Sequence, residues 1–189
     1  MSLHACAVVV RGEHIEAMLA FVRDLGHRSL TTVGTVRDGL AASQWVDRRA
    51  RMMVYLAEGC TWLLDGESLI AFQDDAALSR LASATGQPVL GWLCEGTSGT
   101  YALRWFAPEL ERDVTVSGGE VTLDEGQPLP EEAGVDWSRV WETELLQILE
   151  RLGMPYDGLA GQRDYLLLDL AGGAPMPAPA ARPWWKFWR

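Results

Sequence analysis

The sequence predicts an α+β fold: a mostly antiparallel central sheet with two or three helices packed on it, followed by a Pro-rich linker and a Trp-rich C-terminal tail. Three observations carry this. Paired apolar runs with period-two alternation fill the middle of the chain, each pair joined by residues that favour tight turns. Segments with apolar residues at helical spacing fall before, between and after those pairs. The chain has 189 residues, 48% of them hydrophobic, which suits one globular domain able to bury a core without covalent staples.

In chain order, residues 5–10 are continuously apolar, as in a strand covered on both faces, and Arg11 and Gly12 end the run. Ile15, Met18, Leu19, Val22 and Leu25 recur at helical spacing, with Gly26 placed to terminate that helix. Residues 29–50 give no single reading: 29–36 is β-rich, while 40–49 fits either a helix or an irregular crossover. Residues 51–57 read as a strand that leads through Glu58 and Gly59 into the central sheet. There, residues 60–64 and 67–72 are expected to form a hairpin about Asp65 and Gly66, and residues 88–95 and 100–106 a second hairpin about 96–99. A third pairs 113–117 with 120–124 about Gly118 and Gly119, with Val114, Val116, Val121 and Leu123 facing in.

Within this region Asp74 is placed to cap an inserted helix carrying Leu78, Leu81 and Ala82, which Gly86 and Pro88 stop. After a loop over 126–132 the clearest helical pattern runs from Asp136, its cap, to Leu152. Trp137, Val140, Trp141, Leu145, Ile148, Leu149 and Leu152 form one apolar stripe, so both tryptophans are expected in the core. Residues 165–170 read as a last strand. The organisation predicted is a single domain over 1–173, a Pro/Ala linker over 174–183 and a basic, Trp-rich tail over 184–189.

The formal net charge is −10, and it is unevenly placed. Between Glu109 and Glu150 twelve Asp and Glu residues face only Arg112 and Arg139. An acidic third of this kind disfavours nucleic acid and favours a basic protein partner, although a solvated face that keeps the chain soluble accounts for the same charges. The candidate partner-binding residues are Glu109, Glu111, Asp113, Glu120, Asp124, Glu125, Glu131 and Glu132. Oligomeric state is not legible.

Chemistry is harder to find. Lysine occurs once, at Lys186, which removes the Walker-type phosphate loop and any lysine Schiff base from the globular part. His4, His14 and His27 lack partners at metal-binding spacing, so no metal is expected, and no glycine-rich dinucleotide fingerprint predicts a cofactor. Ser98 sits in Gly96-Thr97-Ser98-Gly99-Thr100, where a nucleophile elbow would need glycine at Thr100 and a strand-to-helix turn; it reads as a turn residue. No catalytic residue is assigned, although a small hydrolase with a loop-built site stays open as an alternative. Cys6, Cys60 and Cys94 each sit in an apolar run and read as reduced core residues. With no basic n-region at the start and no run long enough to span a bilayer, the expectation is a cytoplasmic protein, with peripheral contact at the inner membrane as a further option.

The run from Gly99 to Phe106, followed by Arg112, the segment 126–132 and an acidic amphipathic helix, resembles the layout of small bacterial immunity-type and uncharacterised α+β proteins. The resemblance covers residues 60–153 and carries over no catalytic residue. It implies a non-enzymatic protein, of immunity or adaptor type, that neutralises or binds a basic protein partner such as a toxin domain; the acidic third suits that independently.

Trp184, Trp185, Lys186, Phe187, Trp188 and Arg189 place four aromatics and two cations at a chain end. Such a segment either docks on protein, its own domain or a neighbouring copy, or engages an external partner or an anionic lipid surface, which would make the protein a peripheral membrane adaptor.

Overall fold

The computed structural model describes residues 3–24, 31–46, 51–66, 75–107, 110–159 and 162–169. The elements follow in the order β1 (His4–Arg11), α1 (Ile15–Asp24), β2 (Thr31–Asp38), α2 (Gly39–Val46), β3 (Arg51–Ala57), β4 (Cys60–Asp65), α3 (Asp75–Thr85), β5 (Val89–Glu95), β6 (Thr100–Ala107), β7 (Leu110–Ser117) and β8 (Glu120–Gly126). Two short 3-10 turns, Pro130–Glu132 and Trp137–Arg139, then lead to α4 (Glu142–Arg151) and β9 (Gln162–Asp169). The nine strands form one sheet in the order β2-β9-β3-β4-β1-β5-β6-β7-β8, and every neighbouring pair is antiparallel. The fold is α+β, with four α-helices among the described residues.

Helices cover both faces of the sheet, which explains the unbroken apolar run of β1. Cys6, Val8 and Val10 face Met18 and Val22 of α1 and Leu78 and Leu81 of α3. Ala7 and Val9 face the other way, into a core shared with Leu145, Ile148 and Leu149 of α4 and Ala42 of α2. With side chains alternating across a strand, a central strand walled on both sides has no polar position left.

The β5–β6 and β7–β8 hairpins form where the alternation places them. Gly118 and Gly119 both take positive φ, 58° and 82°, as a two-residue primed turn requires. β4, in contrast, is closed by a different hairpin from the one expected. It pairs with β3 across Glu58 and Gly59, at φ 50° and 71°, and its other edge takes β1. The expected second strand at 67–72, and Asp74, lie outside the described residues. Residues 31–38 become β2, the edge partner of β9, and α2 follows directly.

Two further expectations are corrected. Val121 does not face in: β8 is an edge strand, its register with β7 shifts between Thr115 and Val116, and Val121 is 40% exposed. The single helix over 136–152 is also broken in two. The Asp136 carboxylate accepts from the Ser138 amide at 3.1 Å and from its hydroxyl at 2.6 Å, which closes the short 3-10 turn, and Val140 is then extended at φ −68°, ψ 138°. Helix α4 restarts at Glu142. Leu145, Ile148, Leu149 and Leu152 are buried as the stripe requires, but Trp141, left outside the helix, is 64% exposed.

Strand directions bring many chain ends together. Registers place the start of β1, β3, β6 and β8 and the end of β4, β5, β7 and β9 at one end of the sheet. The N-terminus of α4 joins them, because Glu142 accepts a hydrogen bond from the Leu3 amide at 3.0 Å.

Candidate functional site: an acidic end of the sheet

The acidic third divides into carboxylates that hold the fold and carboxylates that face solvent. Arg112, on β7, is 2% exposed and donates from Nε and Nη2 to the two Glu132 oxygens, both at 2.9 Å. Its Nη1 donates to Asp124 and, at 3.1 Å, to the Glu125 carbonyl. Glu132 also accepts from the Leu129 amide at 2.9 Å and the Trp137 indole at 2.8 Å. Burial alone would raise the Glu132 carboxyl, but these hydrogen bonds hold it below the ordinary range. Glu132 therefore does not belong to an exposed binding surface: it pins the segment 129–137 to the sheet. Gly126, opposite Arg112, permits that approach, since a Cβ there would lie 2.1 Å from the Glu111 carbonyl oxygen.

Asp113 is likewise structural. On the other face it accepts from Arg104 Nε at 2.9 Å, and Arg104 also reaches Asp75 at the start of α3. Burial pushes the Asp113 carboxyl up, against the pull of Arg104. Of the remaining candidates, Glu111, Glu120, Asp124 and Glu125 are exposed on the β7–β8 edge, Glu131 is half-buried, and Glu109 lies outside the described residues. The tail, 184–189, also lies outside them. The seven of these carboxylates that are described do not form one patch: Glu132 and Asp113 are spent on buried arginines, while Glu111, Glu120, Asp124 and Glu125 are exposed.

What the structure does gather is a different set, at the end of the sheet where the strand termini meet. Trp141 stands exposed, flanked by Glu142 and Glu144, and the Glu144 carboxylate accepts the Trp141 amide at 3.0 Å. Gly119, beside Glu120, packs near the Ser138 carbonyl, so the β7–β8 turn borders the same surface. On its other side Leu3 links Glu142 to the β5–β6 turn, its carbonyl accepting from the Gly96 amide at 3.0 Å. Next to it His4 Nδ1 lies 2.5 Å from Glu95 Oε1, and His4 Nε2 lies 3.1 Å from the Thr97 hydroxyl. The field of these carboxylates reaches inward: burial first, then the charges of Glu142 and Glu95, push the Cys94 thiol up to about 12.

A cleft of about 100 Å³ opens at this end, where β4 leaves the edge of β1. Among the described residues Leu64, Tyr156 and Leu159 give it an apolar wall, while His4, Asp65 and Glu95 give it polar groups. Tyr156 is fixed by a tilted contact with Trp62 and an edge contact with Trp92, at ring-centroid distances of 5.7 and 5.1 Å. The volume falls well short of the roughly 300 Å³ at which small-molecule sites begin; it suits one side chain of a docked segment. No group of three or more His, Cys, Asp or Glu residues capable of holding a metal occurs among the described residues.

Sequence reasoning weighed His4 only as a metal ligand, took Asp65, the last residue of β4, for a turn residue, and passed over Glu95 and Tyr156, because the four are far apart in the chain and only the fold makes them neighbours. It misplaced Trp141, although Asp136 followed by Ser138, a pairing that favours a local turn over continued helix, was a usable signal. No family model matches this chain, and no curated protein or solved structure matches it significantly.

Proposed function

We propose that this chain is a non-enzymatic binding protein, of immunity or adaptor type, that engages a positively charged protein segment with the acidic end of its sheet. The observation that carries this is Trp141: a large aromatic, 64% exposed, with Glu142 next to it in the chain and the Glu144 carboxylate on its amide, while the nearby cation Arg139 is paired with Asp136 at 3.6 Å. Tryptophan is among the residues that most often form the energetic centre of a protein interface, with polar groups at the rim. Carboxylates around such an anchor steer a cationic partner and reject an acidic one. No helix among the described residues is long and apolar enough to cross a membrane.

Co-purification at low and at high salt, with wild type and Trp141→Ala side by side, tests the reading. The expected result is a basic protein retained by wild type, released as salt rises and lost from the variant. An acidic partner, or one held equally by Trp141→Ala, would overturn it.

A second reading, a small hydrolase with a loop-built site, has one observation in its favour. Thr97, His4 and Glu95 stand in the order hydroxyl, imidazole, carboxylate, at hydrogen-bonding distances, which is the order of a nucleophile, its base and the group that orients the base. This reading requires hydrolysis of a chromogenic ester that disappears in both Thr97→Ala and His4→Ala. Equal rates in all three proteins would remove it.

A further inference from the structure

We propose that the acidic end has a resident occupant, the chain's own tail: residues 184–189 dock in cis, setting one aromatic side chain in the cleft walled by Leu64, Tyr156 and Leu159, and their cations against Glu95, Glu142 and Glu144. This rests on the reading of that end as a cation-binding face and adds its regulation, because an external partner must then displace the tail.

Three observations converge. The first is where the chain departs. Asp169, the last residue of β9, pairs with Arg51 at the start of β3, and that is the end of the sheet that carries the cleft and Trp141. The second is reach. β9 and β1 are three strand spacings apart in the sheet order, about 14 Å, and the far edge at β8 is about 34 Å away by the same measure. Residues 170–183, rich in proline and alanine, span up to about 43 Å at the extension such compositions favour. The tail can therefore arrive anywhere on this end. The third is complementarity. Residues 182–189 bring Arg182, Lys186 and Arg189 with four aromatics, whereas the described lining of the cleft is mixed, with Asp65, Glu95, His4 and Ser43 beside the apolar Leu64, Leu93, Tyr156 and Leu159. The cleft volume, too small for a metabolite, matches a single inserted side chain. An aromatic whose body is buried while neighbouring cations meet carboxylates satisfies both halves of that surface.

The sequence supplies its own probe, since Lys186 is the only lysine in the chain. Treatment of the full-length protein with a water-soluble carbodiimide joins that amine to whichever carboxylate touches it, and peptide mass spectrometry reads the joint. The expected result is Lys186 joined to Glu95, Glu142 or Glu144 within the monomer, with the yield falling several-fold at high salt and in Trp184→Ser/Trp185→Ser. Joints only between two chains would overturn the proposal in favour of a second copy. Joints confined to carboxylates elsewhere, such as Glu13 or Glu16, would overturn it outright, as would no joint at all. No joint together with flotation on phosphatidylglycerol vesicles would assign the tail to lipid instead.

A parallel arm separates this proposal from the reading beneath it. The full chain carrying Lys186→Arg cannot form the joint through its own tail, and a free peptide of residues 182–189 is added to it. If Lys186 of the peptide joins Glu142 or Glu144 while the wild-type chain shows no internal joint, the acidic end binds cationic aromatic segments but does not hold its own tail. If neither joint forms, both the docking and the binding face fall.

Discussion

Trp137 and Trp141 lie four residues apart and share one apolar periodicity, yet the fold uses them in opposite ways. Trp137 is 8% exposed, its indole N–H spent on Glu132, and it closes the core under the segment 129–137. Trp141 is 64% exposed and donates only its backbone amide, to Glu144. The same division runs through the carboxylates: Glu132 and Asp113 hold arginines inside the protein, whereas Glu142, Glu144 and Glu120 carry charge at its end. Periodicity and charge counts record what residues are present. Whether each is structural or available depends on the partner the fold provides.

The largest effect should come from the buried side of this comparison. Removing Arg112 leaves Glu132 buried without a counter-charge, and removing Glu132 leaves Arg112 only the more exposed Asp124, so either change breaks a buried ion pair at a cost of about 3 to 5 kcal/mol. Urea unfolding of Arg112→Ala and Glu132→Gln should show losses of about that size, and a loss below about 1 kcal/mol would mean that the cluster does not clamp the segment 129–137 to the sheet. Acid should reveal it as well. A carboxylate whose folded pKa is depressed adds stability above its unfolded value, near 4.5 for this glutamate, and the contribution fades as pH falls through the folded value. Wild type should therefore lose stability below that pH, and Glu132→Gln, less stable to begin with, should lose less over the same window. Asp113, with its raised carboxyl, acts in the opposite sense, favouring the fold at low pH. It is common to both proteins and cancels from their difference.

Next in size, Trp137→Ala should cost about 3 to 5 kcal/mol, as large aromatic truncations in cores do. Trp141→Ala should fall within about 0.5 kcal/mol of wild type, as surface changes do. Paired melting curves decide this, and similar losses in the two variants would erase the distinction. Gly126→Ala should sit with the buried class, because its φ of 82° and the Glu111 carbonyl at 2.1 Å leave no room for a methyl group. The smallest effect concerns the thiols. Cys6, Cys60 and Cys94 are free and buried, and burial raises the Cys60 and Cys94 thiols further from ionisation. Titration of native protein with a thiol reagent at pH 8 should register almost no uptake, and denaturant should release all three; rapid native labelling would show that the end of the sheet near Cys94 opens.

Much of the sheet was legible because strands advertise themselves locally. The alternation in 100–106 and 113–117 and the paired glycines at 118 and 119 specify register within a few residues. Legibility failed where the deciding contact is distant or competes with a pattern. The β-rich composition of residues 29–36 was legible and residues 31–38 form β2, but their partner was not: β9, far along the chain, holds that edge. The break before α4 depends on the Asp136–Ser138 hydrogen bonds overriding a helical stripe that still buries Leu145, Ile148 and Leu149. Of the candidate site, the acidic character was readable, but Glu132 could not be told from Glu142 until Arg112 was placed beneath the first and solvent beside the second. His4 and Glu95 are 91 residues apart, and only the β1–β5 register pairs them.

The central claim, that the protein's working face is the exposed side of this comparison, is tested most directly by the affinity of wild type and Trp141→Ala for the basic protein captured at low salt. Titration calorimetry should show binding weakened about 30-fold in the variant, the loss expected of an interface anchor worth about 2 kcal/mol, with the melting temperature unchanged. Equal affinity in the two proteins would contradict the account.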